Sequence, residues 1–408
     1  MKESIFEQSL RFHEKHKGKI ALKSKVSVTT KEELSLAYTP GVAEPCLRIW
    51  KNRDDVYRYT SKGNFVAVVS DGSSVLGLGD LGPLAAMPVM EGKAMLFKIF
   101  GGVDAFPICL DTKDTEEIIN TVKNISPSFG GINLEDIGAP RCFEIEARLK
   151  KLLDIPVFHD DQHGAAIAAL AGLINALKVV GKKFDEIKVV ISGAGAAGTA
   201  TAKLLLDKGV RDMLVCDTRG IIYRGRSGLN PYKQELAELT NKNSEEGTLA
   251  DAMKGADVFI GLSIGRIVSQ DMVRSMAHDA IVFPLANPVP EIMPEEAKRA
   301  GARIAGTGRS DCHNQLNNAL GFPGIFRGAL DVRARDINEE MKLAAANALA
   351  SLVDEPTEDM IIPGIFDPRV APSVAAAVAQ AAMDSGTSRV HMDAGQVAEH
   401  TRELLRSL

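Results

Sequence analysis

The segment IKVVISGAGAAGTATAKLLLDKG, residues 187–209, restricts the fold of this chain more than any other stretch. An apolar run ends in a glycine-rich loop, the loop opens a stretch of helical periodicity, and a second apolar run, MLVCD, closes on Asp217. Strand, turn, helix, strand and terminal acid in that order form a βαβ unit, whose two strands lie parallel with the helix packed across them. Gly193, Gly195 and Gly198 have GxGxxG spacing, and Asp217 stands 19 residues past Gly198. A bare match to that motif is weak, but here its whole context is present. Gly193 permits the tight turn, Gly195 lets backbone N–H groups approach a pyrophosphate, and Gly198 allows close helix packing. The candidate cofactor contacts are Gly193, Gly195, Ala196, Ala197, Gly198 and Asp217.

Asp217 would accept hydrogen bonds from a ribose 2'-OH and oppose a 2'-phosphate, which favours NAD. Arg219 and Arg224 follow closely in CDTRGIIYRGR, and either can pair with a phosphate, which leaves NADP open. A second GxGxxG match, GLGDLG at Gly77, Gly79 and Gly82, lacks the supporting context. Pro83 and Pro88 are expected to interrupt any helix directly after it, and no strand-terminal acid follows at the right distance. It reads as a structural or substrate-facing turn.

Beyond residue 161, the runs IKVVISG, MLVCD, VFIGLS and AIVFPLAN are strand candidates separated by helical segments, the pattern of a doubly wound sheet. Upstream, FVAVVS at 65–70 reads as a strand, and helix and strand then alternate through MEGKAMLFKIFG, VDAFPICLD, TEEIINTVKNI and GGINLED. Residues 4–16 fit a short amphipathic helix, AYTPGVAEPC at 37–46 a loop, and the chain from 316 onward turns helical. The expected fold class is α/β: a doubly wound Rossmann-type dinucleotide-binding domain, an N-terminal α/β substrate domain, and C-terminal helices packing back.

Length and composition agree with this. The 408 residues suggest two or three domains, and 45% hydrophobic with 25% charged residues is an ordinary globular balance. A formal charge of -5 gives no basic field for nucleic acid or acidic membranes, and aromatics at 5% argue against a stacking surface. The lysines of HEKHKGKIALKSKV at 13–26 read as a solvated face. Five scattered cysteines without CxxC spacing point to neither a disulfide framework nor a zinc knuckle, and fit a reducing cytoplasm. The N-terminus lacks a signal-peptide core, and AAIAALAGLINALKVV at 165–180, with Asn175 and Lys178, reads as a buried helix, not a membrane span.

Two segments carry paired acids, INLEDIG at 132–138 and FHDDQHGAAIAALAG at 158–172. Glu135 and Asp136 close a strand, Asp160 and Asp161 open a long helix, and the four cluster if those ends of the fold meet. All-oxygen ligation suits magnesium or manganese, not tetrahedral zinc. The plainer alternatives stay open at this point: one of Asp160 and Asp161 as an N-cap, and Glu135 and Asp136 as surface acids. His159 and His163 are not in a zinc-protease HExxH and read as solvated or helix-terminal.

At these residues the chain resembles the malic enzymes, specifically the short bacterial and archaeal type. The blocks that carry the resemblance are AYTPGVAEPC, VLGLGDLGP, PVMEGKAMLFKIFGGVDAFPI, LEDI, FHDDQHGAAIAALAGL, GAGAAG, LANPVPE, TGRSDCHNQLNNALGFPGIFRGALD and FDPRVAPSVAAAVAQAAMDSG, from about residue 15 to 385. The resemblance implies oxidative decarboxylation of L-malate to pyruvate and carbon dioxide with NAD or NADP, dependent on Mg2+ or Mn2+. It implies Glu135, Asp136 and Asp161 as metal ligands, Lys93 and Tyr38 as the catalytic lysine and tyrosine, and Asp160 as an adjacent acid. Asn287 and Asn318 match asparagines that contact substrate and cofactor. Lys93 is then the general base for the malate hydroxyl, its pKa lowered by burial and a nearby cation, and Tyr38 the source of the C3 proton.

The resemblance also implies a substrate and metal domain over 1–160, a Rossmann domain over 161–318 and a helical segment over 319–408, in a homodimer or larger assembly. Ser74 stands where larger eukaryotic members carry an arginine, so the group that neutralises a substrate carboxylate is not identified. Without the family, Lys93 would read as a solvated lysine and Tyr38 as a buried structural tyrosine. Two rival readings are an amino-acid or folate-type dehydrogenase, which needs no carboxylate-bound cation, and a non-catalytic nucleotide sensor.

Overall fold

β-Branched and apolar runs bounded by glycine, proline and acids become the strands of two separate sheets. The computed structural model describes residues 4–408. Strands β1 (Phe65–Ser70), β2 (Asp104–Cys109), β3 (Gly131–Leu134) and β4 (Val157–His159) form a parallel sheet in the order β2-β1-β3-β4. The second sheet holds β5 (Lys188–Ser192), β6 (Asp212–Asp217), β7 (Gly220–Ile221), β8 (Val258–Gly261), β9 (Ile281–Pro284) and β10 (Ile304–Ala305), in the order β10-β9-β8-β5-β6-β7. All its pairings are parallel except β6 with β7. The order reverses at β5, whose neighbours are β6 and β8, so the crevice for a ligand opens at the carboxyl end of β5.

The expected α/β architecture is present, and all seven expected strands, those of FVAVVS, VDAFPICLD and GGINLED and the four of the second sheet, form where their apolar runs lie. Val66, Val68, Val189, Ile191, Val258 and Ile260 are fully buried, as a parallel sheet covered on both faces requires. β7 and β10 carry no sequence signal because two residues are too few to show a period.

Two local expectations are corrected. A helix does follow GLGDLG directly, running Pro83–Gly101 with Gly82 as N-cap and Pro88 inside it. Pro83 at the first helical turn costs no hydrogen bond, since that N–H would be unpaired anyway, and the Pro88 interruption is absorbed within a long helix. AYTPGVAEPC is a loop only in part, because a helix Ala43–Lys51 begins within it.

The helix Asp160–Val180 joins the two sheets. By length and composition it could cross a membrane, yet most of it is packed inside the protein. Its polar exceptions are accounted for: the Asn175 amide donates to the carbonyls of Ala350 and Ile361 at 2.8 and 3.0 Å, and Lys178 donates to the Asn175 oxygen. The C-terminal helices Phe322–Asp331, Glu339–Ser351, Val370–Asp384 and Ala394–Arg406 return to the N-terminal half, as expected. Phe97 of the helix Pro83–Gly101 meets Phe322 and Phe326 edge-on at 4.7 and 5.1 Å. Such pairs contribute about 0.5–1.5 kcal/mol each beyond their burial. Arg327, almost fully buried, ties the seam by donating to Asn64 at 2.5 Å while pairing with Asp331 of its own helix at 2.6 Å.

The N-terminal arm is different. Its helices Ile5–His16, Lys31–Ala37 and Ala43–Lys51 contain no buried residue. Ile5, Phe6, Leu10, Leu22, Leu36 and Trp50 all face outward, Trp50 with 80% of its surface exposed. The predicted amphipathic helix forms, but its apolar residues Ile5, Phe6 and Leu10 stay mostly exposed.

Candidate active site

Four elements converge on Lys93. It projects from the helix Pro83–Gly101 and is 6% exposed, so the solvated lysine of an isolated sequence reading is not what the fold makes of it. Its Nζ lies 2.8 Å from Glu135 Oε1, just past β3, and 2.5 Å from Asp160 Oδ2, in the first turn of the helix Asp160–Val180. The Phe322 ring covers it with the centroid 4.2 Å from Nζ. Asn318 donates its amide to Asp160 Oδ2, so this asparagine belongs to the same cluster. A Cβ on Gly164, one turn further along, would lie 2.1 Å from Asp160 Oδ1; the glycine of HDDQHG leaves room for the carboxylate.

Glu135 and Asp136 are buried, not surface acids. Asn133 donates to Glu135 Oε2 at 2.9 Å, and the Leu76 backbone N–H donates to Asp136 Oδ1 at 3.3 Å. Asp136 takes a left-handed φ of 54°, and its own N–H donates to Asp161 Oδ2 at 2.7 Å. Neither Asp160 nor Asp161 caps the helix: the N-cap is His159, which makes no side-chain cap bond.

The electrostatics follow from the crowding. Burial, then the charge of Asp161, pushes the Asp136 carboxyl up to about 7. Burial lifts Glu135 and Asp160 as well, against the pull of Lys93. Burial alone would lower Lys93, but Asp160 and Glu135 outweigh it and hold the ammonium above its ordinary value. The expected lowering of this lysine is therefore not found; two carboxylates in contact reverse its sign.

A hard cation fits the donor set. Asp136 Oδ2 is buried with no hydrogen-bond partner among the described residues, and two buried carboxylates share the Lys93 ammonium, an excess of negative charge. The ligand positions are not preassembled, however. Among the described residues no three acidic, histidine or cysteine side chains present themselves to one point, because Glu135 is turned onto Lys93 and Asp161 onto the Asp136 backbone.

The histidines are helix-terminal, as one of the two expectations had it, and not solvated. His159 is fully buried with neither ring nitrogen bonded among the described residues, and His163 pairs with Glu146 at 2.9 Å. Glu146, of the helix Arg141–Leu152, also accepts the His159 backbone N–H and the Gln162 amide, both at 3.1 Å. It thereby fixes the start of the helix that carries Asp160 and Asp161. Sequence reasoning missed Glu146, whose signal was weak: it is one of two acids on an amphipathic helix, with Glu144.

Tyr38 is the residue that the fold does not bring in. It ends the helix Lys31–Ala37, is 67% exposed, and its hydroxyl makes no hydrogen bond among the described residues. It is neither a buried structural tyrosine nor a neighbour of Lys93, since the arm that carries it has no core of its own.

The glycine loop lies at the carboxyl end of β5, lining a cavity of about 840 Å³. Gly193 adopts a φ of 111°, and a Cβ on Gly198 would lie 1.8 Å from the Gly193 carbonyl oxygen, so the loop closes only without side chains there. Gly195, Ala196 and Ala197 form the start of the helix Ala196–Asp207. Ala139 and Pro140, three and four residues past Asp136, line the same cavity, so it adjoins the acid cluster's segment. Asn287 follows β9 and reaches the other glycine loop: a Cβ on Gly77 would stand 1.9 Å from its carbonyl oxygen. GLGDLG is thus the turn that lets the two halves of the chain approach. Asp217 borders the cavity, but its carboxylate is engaged by Arg226 at 2.5 Å and Lys233 at 2.8 Å, neither of which the sequence singled out.

A Rossmann sheet with its glycine loop at the switch point, beside a second parallel sheet whose flanking helices and β3 end bring a lysine and acids together, defines a dinucleotide-dependent oxidoreductase. The chain matches the malic enzyme N-terminal domain over residues 15–118 and 112–150, and the malic enzyme NAD-binding domain over 162–383. It is 59% identical over 404 residues to the bifunctional malic/malolactic enzyme of Bacillus subtilis (strain 168), covering 98% of each chain. It is 61% identical to the NAD-dependent malic enzyme of Geobacillus stearothermophilus, covering 91% of this chain and 78% of that one. The crystal structure of malic enzyme from Pyrococcus horikoshii superposes with a TM-score of 0.95 at 54% identity, covering 99% of this chain and 96% of the other. This chain belongs to the malic enzyme family, and its reaction is the oxidative decarboxylation of malate with reduction of NAD(P)+. Relatives carry both NAD-dependent and NADP-dependent names.

Proposed function

We propose that Lys93 is the general base of this reaction, with Asp160 and Asn318 orienting it and Tyr38 supplying the proton at C3. The observation that carries this reading is the burial of Lys93 between Glu135 and Asp160, an arrangement too costly to keep for stability alone. Malate would bind with its C2 hydroxyl against Lys93 Nζ and C2 facing the cavity where the nicotinamide enters. Lys93 takes the hydroxyl proton as hydride leaves C2. A magnesium or manganese ion held by Glu135, Asp136 and Asp161 would supply the positive charge that acidifies the hydroxyl and stabilises the C2 oxygen during loss of carbon dioxide. With Glu135 so engaged, Lys93 retains Asp160 as its anionic partner, and burial then moves it toward the neutral form that accepts a proton. The same site would decarboxylate added oxaloacetate.

We further propose a homodimer or larger homo-oligomer, working in the cytoplasm on free malate with NAD favoured through Asp217 and no nucleic-acid or membrane partner. The outward apolar residues of the N-terminal arm support the assembly. Exposure of Tyr38 on that arm supports its use in the site of a second copy. The domain limits 1–160, 161–318 and 319–408 remain our division; the first two cuts fall within one residue of the helix start at Asp160 and inside the short turn Asn318–Leu320.

The deciding experiment is malate-dependent NADH formation with pyruvate and carbon dioxide quantified, in the presence of manganese, after chelation, and after manganese is restored. Equal amounts of the three products, lost on chelation and recovered with the metal, are expected. Undiminished activity after thorough chelation would remove the metal from the reading, and a K93A variant with normal turnover would remove the lysine.

A further inference from the structure

The segment LANPVPE ends in an acid, Glu291, that the proposed mechanism does not use. It is fully buried, on the stretch of chain that follows β9. Among the described residues no lysine, arginine or histidine pairs with it, and hydrogen bonds carry its charge instead. Its Oε1 accepts the Ser263 backbone N–H at 2.9 Å and the Ser263 hydroxyl at 3.2 Å, and its Oε2 accepts the Ala286 backbone N–H at 3.1 Å. One side chain thus holds the loop after β8 to the loop after β9. Backbone donors on both oxygens require a group that only accepts, and a glutamine would turn its own N–H2 toward one of them. The fold reserves the space as well: a Cβ on Gly261, the last residue of β8, would lie 2.3 Å from Glu291 Cδ.

The loops do not need this link to stay together. The Arg266 N–H donates to the Pro290 carbonyl at 3.0 Å, and the Val268 N–H to the Glu291 carbonyl at 3.1 Å. A buried anion with no cation beside it is a costly further tie. What it adds is placement. Ser263 borders the cavity, with its hydroxyl 3.0 Å from that of Ser192 at the end of β5. The neighbouring Leu262 carbonyl oxygen lies so close to the glycine loop that a Cβ on Gly193 would stand 2.3 Å from it. Ala286 directly precedes Asn287, the asparagine that the family resemblance implies in contact with substrate and cofactor.

We propose that Glu291 is a positioning residue for hydride transfer: it sets Ser263 and Asn287 at the nicotinamide end of the cavity without touching cofactor or substrate. The inference rests on reading the cavity as the cofactor site. A dinucleotide lies across the switch point with one nucleotide on each half of the sheet. Asp217 at the end of β6 marks the adenosine half, so the nicotinamide half falls over the loops after β8 and β9 that Glu291 clamps. A ring held loosely there spends less time with its reacting carbon facing C2 of malate, and a misplacement of about 1 Å costs about 10²-fold in rate. The adenosine half is held elsewhere and keeps its affinity.

The test is single-turnover NADH formation by the full chain, in saturating excess over NAD+ with manganese present, from malate and from malate deuterated at C2. Wild type, E291Q and E291D are compared, with calorimetric titration of ADP-ribose, which lacks the nicotinamide, and amide hydrogen exchange of the cofactor-free proteins. In E291Q the rate constant should fall about 10–100-fold. C2 deuteration should slow that phase, the ADP-ribose dissociation constant should stay near its wild-type value, and amide exchange should quicken in the loops at 262–267 and 285–290 alone. E291D keeps both acceptor oxygens on a shorter stem and should fall between the two. A merely structural role would shrink the active fraction, which at saturating enzyme leaves the rate constant where it was. An unchanged rate constant in E291Q, or in E291D should E291Q not fold, overturns the proposal, as does a phase insensitive to deuterium, a parallel loss of ADP-ribose affinity, or unchanged exchange in the two loops. If ADP-ribose does not bind the wild type, the reading of the cavity falls first and takes the proposal with it.

Discussion

Lys93 Nζ lies 2.5 Å from Asp160 Oδ2, and neither side chain reaches solvent to any useful extent. A buried lysine in contact with two carboxylates is held charged, whereas a base must spend time neutral. The pair is therefore poised, with its balance set by what else engages the carboxylates. Replacing Lys93 by alanine should lower kcat by about 10²–10⁴-fold, the usual loss for a general base. It should also cost about 3–5 kcal/mol of stability, because Glu135 and Asp160 lose their buried counter-charge. Turnover and urea denaturation measured on the same preparation check both, and near-normal turnover in a folded K93A protein would sink the assignment.

Divalent metal should stabilise the folded protein independently of turnover. Burial, and after it the charge of Asp161, pushes the Asp136 carboxyl up to about 7, and a bound cation offsets both. At a hundredfold excess over its dissociation constant, manganese should add about 2.7 kcal/mol to the unfolding free energy. D136N and D161N should lose most of this gain. Thermal unfolding with and without manganese, in the wild type and both variants, reads the effect; equal shifts in all three proteins would place the ion elsewhere.

Tyr38 should act across a subunit boundary. It is exposed on an arm whose helices hold no buried residue among the described ones, while Lys93 is sealed inside. Y38F and K93A homodimers should each be nearly inactive, and unfolding and refolding them together in equal amounts should return about a quarter of wild-type activity. In a symmetric dimer half of the mixed products are heterodimers, each with one intact site. No recovery, in a mixture shown to form heterodimers, would put Tyr38 and Lys93 in the same chain's site.

What the sequence disclosed and what it hid divide along physical lines. Seven of the strands, from β1 to β9 but without β4 and β7, were legible because buried parallel strands are short apolar runs, and the cofactor loop because its glycines are required sterically. The helix after GLGDLG was hidden by Pro83, whose acceptability at a helix start depends on where the helix starts. The acid cluster was visible as residue types, but its turn toward Lys93 depends on long-range packing of the helices at 83–101 and 160–180. Arg226 and Lys233 were hidden for the same reason. They meet Asp217 only because a loop after β7 and a short helix fold back on the end of β6.

That fold-back makes stability depend on pH in a defined direction. Burial raises the Asp217 carboxyl, but hydrogen bonds from Arg226 and Lys233 outweigh it and hold the group at about 2, below its ordinary 3.8. A carboxyl whose pKa is lower folded than unfolded stabilises the native state above the unfolded value, and the contribution is lost as pH falls through the folded one. The window therefore runs from about pH 4 down to about pH 2, and the contribution is on the order of 1–2 kcal/mol, since solvent still reaches Lys233. D217N lacks the titration, so the wild type should exceed it in stability at pH 6 and the gap should narrow as pH falls from 4 toward 2. Urea denaturation of both proteins at pH 6, 4 and 3 measures the gap. A difference that stays constant across that range would mean that Arg226 and Lys233 do not hold Asp217 charged.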